Sequence, residues 1–250
     1  ILTARPFKKN YQKIKHNFYG FQKANKDFST GDWLKIVIKK INEIKKRKKI
    51  PIIVGGTGLY FKALTDGLVE IPSIPLRFRN QVRSLQKSIG QERFYKKLLK
   101  IDSSVINQIK PQDTQRTIRA YEVKLFTKKS ITEWYKSTNS KFKKNEFFKL
   151  CIDHPRSELI EKIALRIKQM LGVGAVFEVK RFLKLRISKS KSISKAIGVA
   201  EINDFIKKRT DEDEVIEKIS IKTRQYAKRQ ATWARGHMTS WKKIKPKTIN

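Results

Sequence analysis

The chain has 250 residues, and 59 Lys and Arg against 22 Asp and Glu give a formal net charge of +37. A hydrophobic content of 39% excludes a disordered polycation, and this length is enough to enclose a core, so we expect a basic globular protein. The single cysteine, Cys151, excludes an intramolecular disulfide and favours a reducing compartment. Nothing like a signal peptide opens the chain, and no run approaches the roughly 18 apolar residues of a membrane span. The sequence therefore predicts a cytoplasmic protein with no membrane contact.

The positive charge admits two interpretations. It predicts strong, salt-sensitive binding to a polyanion such as a nucleic acid, through counterion release. Lysine runs such as Lys45 to Lys49 are equally typical of a solvated helix face. The placement of the arginines discriminates better than the number of lysines.

The first third of the chain alternates helical and strand patterns. Apolar residues at three- and four-residue spacing predict an amphipathic helix over 32–48, with its lysines outward. Ile50 to Val54 is a continuous apolar run, typical of a buried parallel strand. The turn Gly55-Gly56-Thr57-Gly58 follows, and helical chemistry resumes over Leu59 to Leu64. This order predicts part of an α/β parallel sheet.

From Glu70 onward the pattern is mainly helical. We predict helices over Leu85 to Leu99 and over Thr114 to Phe126. Residues 136–149 are polar and lysine-rich, as in a connection. Leu150-Cys151-Ile152 is predicted to be a strand that returns to the sheet.

The last third is predicted to be helical with one loop. A long helix covers 157–184 and is divided at Gly172-Val173-Gly174. A loop rich in Ser and Lys covers 188–195, and a short helix follows over Glu201 to Lys208. The last long helix begins near Asp211, acidic at its start and basic at its end, which suits the helix dipole.

The glycine turn at Gly55 to Gly58 is a candidate anion-binding site. Glycines between a strand and a helix let backbone N–H groups approach an anion at the helix N-terminus. The turn lacks the Lys-Ser/Thr ending of a Walker A loop, and it is not a dinucleotide-binding fingerprint. A tight packing turn fits the same spacing.

The stretch from Asp113 to Val123 begins with a cap of a helix at Asp113-Thr114. Gln115 and Arg119 then lie one turn apart on one face. A glutamine with an arginine suits a base edge and a phosphate. An exposed helix in which Arg119 pairs with Glu122 or Glu133 fits equally well.

The stretch from Thr223 to Arg235 mixes basic and aromatic residues. Arg224 and Lys228 share one helix face, and Tyr226 and Trp233 lie roughly on another. In proteins that bind single-stranded nucleic acids, basic residues of such a pattern bind the phosphate backbone and the aromatic residues stack on bases. Alternatively the aromatic residues anchor the last helix to the core, which is the interpretation we favour for Trp233.

Metal-dependent and hydrolase chemistries find no support in the residues. His16, His154 and His237 are far apart, with no Cys or His at metal-ligand spacing. There is no Gly-x-Ser-x-Gly elbow, and Cys151 has no activating neighbour. No general base stands out.

Together these stretches resemble one family, the tRNA dimethylallyltransferases, which prenylate adenosine 37 next to the anticodon. The resemblance runs from Thr3 to about Arg235. In chain order, the motifs that carry it are Thr3-Ala4-Arg5-Pro6, Ile52 to Leu68, Asp113 to Val123, Arg166 to Leu171, Ala196-Ile197-Gly198 and Thr223 to Arg235.

The resemblance implies an α/β fold with a P-loop-kinase-like parallel-sheet core, formed by 1–71 and 151–250. A helical insertion over 72–150 would close on the anticodon stem-loop of the tRNA. A channel through the core would admit dimethylallyl diphosphate at one mouth and a flipped-out adenine at the other. The implied reaction transfers the dimethylallyl group to N6 of adenosine 37 in tRNAs that read codons starting with U. Mg²⁺ would neutralise the departing diphosphate, and the enzyme would be a monomer.

The predicted site residues follow from these motifs. Arg166 matches an arginine that we expect near the diphosphate. The family's phosphate-binding loop and general-base aspartate lie upstream of Thr3, so we interpret the start at Ile1 as a truncation and assign no catalytic residue. The predicted tRNA contacts are Thr57, Arg79, Gln115, Arg116, Thr117, Ile118, Arg119, Lys195, Ala196, Ile197, Gly198, Val199, Ala200, Arg224 and Lys228.

Two departures from the family pattern leave other functions open. The family's Tyr-Lys pair is Val199-Ala200 here, and a phenylalanine near the end of the last helix is Ala234. A non-catalytic RNA-binding relic is therefore one alternative. An enzyme that prenylates free adenine nucleotides is another, although such a substrate needs no helical clamp.

Overall fold

The computed structural model describes residues 1–3, 5–6, 11 and 14–246. It divides into a first unit, Ile1–Tyr60 with Phe148–Asn250, and a second unit, Phe61–Phe147. The insertion expected over 72–150 overlaps the second unit but begins eleven residues later and ends three residues later.

Helices make up most of both units. In chain order they are Thr30–Lys46 (α1), Gly58–Thr65 (α2), Leu76–Ile89 (α3), Gln91–Ile101 (α4), Thr114–Thr127 (α5), Ile131–Lys136 (α6), Arg156–Gly172 (α7), Ala175–Lys184 (α8), Val199–Ile206 (α9) and Glu212–His237 (α10). Short 3₁₀ turns lie at Ser103–Val105, Lys144–Glu146 and Ser192–Lys195. The strands are Leu150–Ile152 (β1) and Lys242–Ile244 (β2).

The sheet of the described residues consists of β1 and β2, which pair in parallel. Leu150 lies opposite Lys242, and Ile152 lies opposite Ile244. The predicted strand at 150–152 is thus confirmed, and so is parallel pairing in an α/β fold. Its partner at 242–244 was not predicted, since the sequence Lys-Lys-Ile lacks the apolar run of a buried strand.

The buried strand predicted for Ile50 to Val54 is wrong. No strand forms there, and Ile50, Ile52 and Val54 are 87%, 78% and 79% exposed. A strand exists only where a neighbouring backbone pairs with it. Among the described residues, β1 and β2 pair only with each other, so this apolar run has no ladder to join.

The single helix predicted over Leu85 to Leu99 is two helices. α3 ends at Ile89 and α4 begins at Gln91, with Gly90 between them at φ +78°. Glycine adopts this left-handed conformation without steric cost, so the chain changes direction there. The helical spacing is confirmed, and its continuity is wrong.

The later helical predictions are confirmed. The expected division at the glycines separates α7 from α8, and Gly174 has φ +102°. α9 begins two residues before the predicted Glu201, and α10 begins after its N-cap Asp211, as expected. The Asp211 carboxylate accepts a hydrogen bond from the Glu214 N–H at 2.8 Å, which satisfies one of the free donors of the first turn.

Each unit has its own apolar core. In the second unit, Phe94, Leu98, Val105 and Val123 are fully buried, from α4, α5 and the turn between them. The core of the first unit consists of side chains from α7 to α10, among them Ile167, Val179, Ile202 and Ile219. Burying a side chain of this size stabilises a fold by roughly 1.5–3 kcal/mol. In the described part of the chain, no helix combines the length and apolarity that crossing a membrane requires.

Candidate nucleic-acid interface

Helix α5 holds the predicted contacts Gln115 to Arg119. Its N-cap is Asp113, whose carboxylate accepts a hydrogen bond from the Arg116 N–H at 3.1 Å. Thr117 and Ile118 are buried, so these two side chains fix the helix in the second unit and do not reach its surface. Any contact with an RNA is therefore left to Gln115 and Arg116, which are exposed, and to the partly exposed Arg119.

The most unusual charge arrangement of the second unit surrounds Glu122. Its carboxylate is 2% exposed and faces Arg119 Nη1 at 3.6 Å, Arg79 Nε at 3.7 Å and Arg83 Nε at 3.8 Å. Three guanidinium groups thus share one carboxylate, which leaves a local excess of two positive charges. We call these four residues the arginine cluster.

The sequence predicted only part of this cluster. The pairing of Arg119 with Glu122, one of the two that the spacing allows, is confirmed. The sharing of Glu122 with Arg79 and Arg83 was missed. The signal was a pair of arginines four residues apart, but the predicted helix began only at Leu85, so their common face was overlooked.

The glycine turn of the first unit packs closely against α10. Gln230 donates a hydrogen bond from Nε2 to the Gly56 carbonyl at 2.8 Å. A Cβ placed on Gly58 would lie 2.1 Å from Cε3 of Trp233, so only glycine fits beside that ring. Thr57 between them is exposed. The turn is therefore a close packing turn that presents Thr57 to solvent.

The basic face of α10 is open to solvent. Arg224 and Lys228 are exposed, and Arg229 lies over the ring of Tyr226 at 5.7 Å. Tyr226 is itself exposed, whereas Trp233 packs against the glycine turn. Trp233 therefore holds the last helix against the glycine turn, whereas its predicted anchoring to the apolar core stays a prediction, and Tyr226 is open to solvent.

The predicted block Lys195 to Ala200 forms the entry to α9. Gly198 is its N-cap, with φ +100°, and its N–H donates to Glu201 at 2.8 Å. A Cβ on Gly198 would lie 2.3 Å from Cδ2 of Leu2, so a larger residue does not fit at this position without a shift of Leu2. Lys195 and Ala200 are exposed, and Ala196, Ile197 and Val199 are half-buried.

Glu201 ties this block to α10. The side chain is buried and accepts hydrogen bonds from the Gly198 N–H and from Lys222 Nζ. Burial by itself would raise the pKa of Glu201, but the hydrogen bonds from Lys222 and the backbone outweigh it and lower the pKa. A carboxyl with a lowered pKa stabilises the fold while it is ionised.

We expect Glu201→Gln to lower the free energy of unfolding by about 1–2 kcal/mol at pH 7, because the amide loses the charge-assisted bond to Lys222. The unfolded carboxyl titrates near its ordinary value of about 4.5, and the folded one below it. The wild-type advantage is therefore complete above pH 4.5 and disappears as the pH falls through the folded pKa. Urea unfolding followed by circular dichroism over pH 3–7 measures it.

A matched control is Glu214→Gln, in the same unit. Glu214 pairs with Lys218 at 3.2 Å, and both side chains are about half exposed. Exposed pairs contribute little, so the expected loss is below about 0.5 kcal/mol. Equal losses in the two variants would contradict the role of Glu201.

Arg166 lies on α7 and is exposed, with Nη2 donating to the Ile1 carbonyl at 3.4 Å. Its place near a diphosphate stays a prediction. The described residues contain no group of three His, Cys, Asp or Glu side chains arranged to bind a metal ion.

The structure brings together one pair of predicted contacts in the second unit and fixes one predicted turn in the first. In the second unit, Glu122 joins Arg79 to Arg119. In the first unit, α10 holds the Thr57 turn through Gln230 and Trp233.

Comparison with known proteins shows which family contains this chain. Residues 1–237 match the model of the IPP transferase family. The chain belongs to the IPP transferase family. A tRNA dimethylallyltransferase of Pelagibacter ubique is 56% identical over 246 residues, which are 98% of this chain and 79% of the relative. One from Allorhizobium ampelinum is 38% identical over 98% of this chain and 82% of the relative.

Solved structures of IPP transferases have the same fold. A tRNA isopentenylpyrophosphate transferase of Staphylococcus epidermidis superposes with a TM-score of 0.64 at 26% identity, over all of this chain and 80% of the other. A eukaryotic dimethylallyltransferase that acts on tRNA superposes with a TM-score of 0.78 at 23% identity, over 93% of this chain and 59% of the other. The second likeness concerns the fold alone. These similarities confirm the α/β, P-loop-kinase-like class expected from the sequence.

Proposed function

We propose that this chain is a tRNA dimethylallyltransferase that modifies N6 of adenosine 37, in tRNAs that read codons starting with U. The observation that carries the proposal is the 56% identity to a tRNA dimethylallyltransferase over 98% of the chain. The arginine cluster and the basic face of α10 support it, because a polyanionic substrate requires exposed cations.

The proposed reaction is a group transfer. The N6 amine of adenosine attacks C1 of dimethylallyl diphosphate, the C1–O bond breaks, and diphosphate leaves with that electron pair. The amine then loses one proton, which gives N6-dimethylallyladenosine. The adenine must leave the anticodon stack before N6 is reachable, so the enzyme has to hold the flanking backbone.

In this proposal some of the predicted site residues contact the RNA, and others hold helix α5 in place. Arg79, Arg116 and Arg119 hold phosphates, and Gln115 reads a base edge from the same face as Arg119. Thr117 and Ile118 fix α5 from its buried side. The other proposed RNA contacts are Thr57, the exposed or half-buried positions of Lys195 to Ala200, Arg224 and Lys228. Arg166 is proposed to face the diphosphate.

The family resemblance also implies Mg²⁺ and a monomer, and the single cysteine favours a cytoplasmic location; these expectations complete the proposal. Bound Mg²⁺ would supply positive charge to the leaving diphosphate. The described residues include no group of three His, Cys, Asp or Glu side chains that could hold a metal ion, and we assign no ligand to Mg²⁺ and derive no step through it.

The deciding experiment is transfer of labelled dimethylallyl from its diphosphate to unmodified tRNA with A36-A37-A38, in the presence of Mg²⁺. The protein is produced from the complete reading frame that encodes these 250 residues. We expect label in the tRNA and none in a matched tRNA with G37. Salt-sensitive tRNA binding without transfer would instead favour an RNA-binding relic, in line with Val199-Ala200.

Competition by AMP tests the remaining alternative. An enzyme specific for the anticodon loop should continue to modify tRNA in the presence of a large excess of AMP. Prenylation of AMP in place of tRNA would overturn the proposal in favour of an adenine-nucleotide enzyme.

A further inference from the structure

We propose that Glu122 is a positioning residue that holds Arg79, Arg83 and Arg119 as one clamp for the phosphates of the RNA backbone. Arg83 thereby becomes a further RNA contact. This inference rests on the proposed function and deepens it, since it names which side chains of the second unit grip the tRNA and what holds them in place.

Burial divides the cluster into an inner and an outer side. Glu122 is 2% exposed, whereas Arg79, Arg83 and Arg119 are 39%, 44% and 41% exposed. Each arginine side chain is therefore partly open to solvent, while one nitrogen of its guanidinium faces the carboxylate. The carboxylate itself is out of reach of a ligand, so an approaching anion meets only positive charge.

The distances show that the N–H donors of the three arginines form no short hydrogen bonds with Glu122, so they remain able to bind another acceptor. The three N···O separations are 3.6–3.8 Å, longer than the 2.7–2.9 Å of a charge-assisted hydrogen bond. Glu122 Oε1 and Arg79 Nε are buried without a hydrogen-bond partner in the described structure. Each arginine has five N–H donors in a planar fork, and that fork matches the oxygens of a phosphate.

The buried carboxylate of Glu122 offsets the repulsion between the three guanidinium groups. Three guanidinium groups at one place repel one another, and without a counter-charge their side chains would spread into solvent. The buried carboxylate attracts all three, while the two-helix platform of α3 and α5 fixes their backbones. The excess of two positive charges is then pre-organised, so less conformational entropy is lost when a phosphate binds.

An RNA backbone fits this clamp better than a small anion. Gln115 and Arg116 are exposed on the same helix as Arg119, so polar groups continue beyond the cluster along α5. A polynucleotide occupies such a row with successive phosphates and bases, whereas a free phosphate or diphosphate occupies the cluster only.

The test is Glu122→Gln, which keeps the size of the side chain and removes its charge. A purely electrostatic role predicts tighter RNA binding, because the net positive charge rises. A positioning role predicts the opposite, and we expect an affinity for an anticodon stem-loop about tenfold lower, with a smaller salt slope. Fluorescence anisotropy over 50–300 mM salt measures both, on protein whose circular dichroism matches the wild type.

A second variant keeps the buried charge paired. Arg83→Ala leaves Glu122 with Arg79 and Arg119, and we expect the slope of log K against log salt to fall by about 0.7 for one lost phosphate contact to a single strand. The matched control is Arg77→Ala, also on α3, since Arg77 is exposed and lies outside the cluster. We expect no change in its slope beyond error.

The outcomes separate this inference from the proposed function. Tighter binding by Glu122→Gln, or equal slopes for Arg83→Ala and Arg77→Ala, would overturn the clamp while wild-type transfer to tRNA continues. Weaker competition by inorganic diphosphate, with unchanged RNA affinity in Arg83→Ala, would overturn it in favour of a diphosphate site. Absence of RNA transfer and binding in the wild type would refute the proposed function itself.

Discussion

Replacing Gly58 by alanine is expected to lower the transfer rate about 100-fold and the free energy of unfolding by about 1–3 kcal/mol. The new methyl group would lie 2.1–2.4 Å from three atoms of the Trp233 ring, far inside van der Waals contact. Either the ring or the turn must then move, and Thr57 moves with the turn. If Thr57 contacts the tRNA as proposed, a displacement of about an ångström there is enough for a loss of this size.

The control for this variant is Gly236→Ala, near the end of the same helix as Trp233. A Cβ at Gly236 meets no atom within 4 Å, and the residue is helical. Alanine should therefore be neutral there or stabilise the helix by up to about 1 kcal/mol. Steady-state transfer assays and urea unfolding measure the two variants in parallel. Full activity in Gly58→Ala would show that the close approach of Trp233 is unimportant.

Arg119→Ala is expected to weaken binding of the anticodon arm and to lower kcat/KM for transfer by about 10- to 100-fold, as for the loss of an arginine contact to a nucleic acid. The fold should survive, because Glu122 keeps Arg79 and Arg83 as partners and is not left as an unpaired buried charge. Gln115 also keeps its place, since Asp113 still caps α5.

Binding by fluorescence anisotropy and single-turnover transfer with an adenosine-37 stem-loop measure the effect of Arg119→Ala. Arg77→Ala serves again as the control, since it removes an exposed arginine of the same unit from outside the cluster. An unchanged affinity and rate in Arg119→Ala would contradict the RNA contact that the family motif implies.

The sequence predicted the helices better than the sheet, for a physical reason. The period of α5 or α10 depends on residues within the same segment, so the helix is visible in the local pattern. Whether Ile50 to Val54 pairs with a strand depends on distant backbone, which no local pattern contains. β2 was missed for the same reason, because Lys242–Ile244 is a strand only through its pairing with β1.

The candidate site was predictable where a motif named its residues and not where geometry assembled them. Asp113, Gln115 and Arg119 were placed on one helix from spacing alone, and the structure places them so. Arg83 belongs to no motif and enters only because α3 packs beside α5. The burial of Thr117 likewise depends on neighbours from other segments, such as Gln91, which donates to its hydroxyl.

The charge order along α10 has a consequence for how an RNA first meets the protein. Four carboxylates lie within the first six residues of the helix, and from Lys218 onward its charged residues are all basic. Its 26 residues span about 39 Å, several times the screening length of about 8 Å at physiological salt. The two ends therefore act as separate poles: one repels a nucleic acid and the other attracts it. Diffusional encounters are steered towards the basic end, and this directional bias fades as the ionic strength rises.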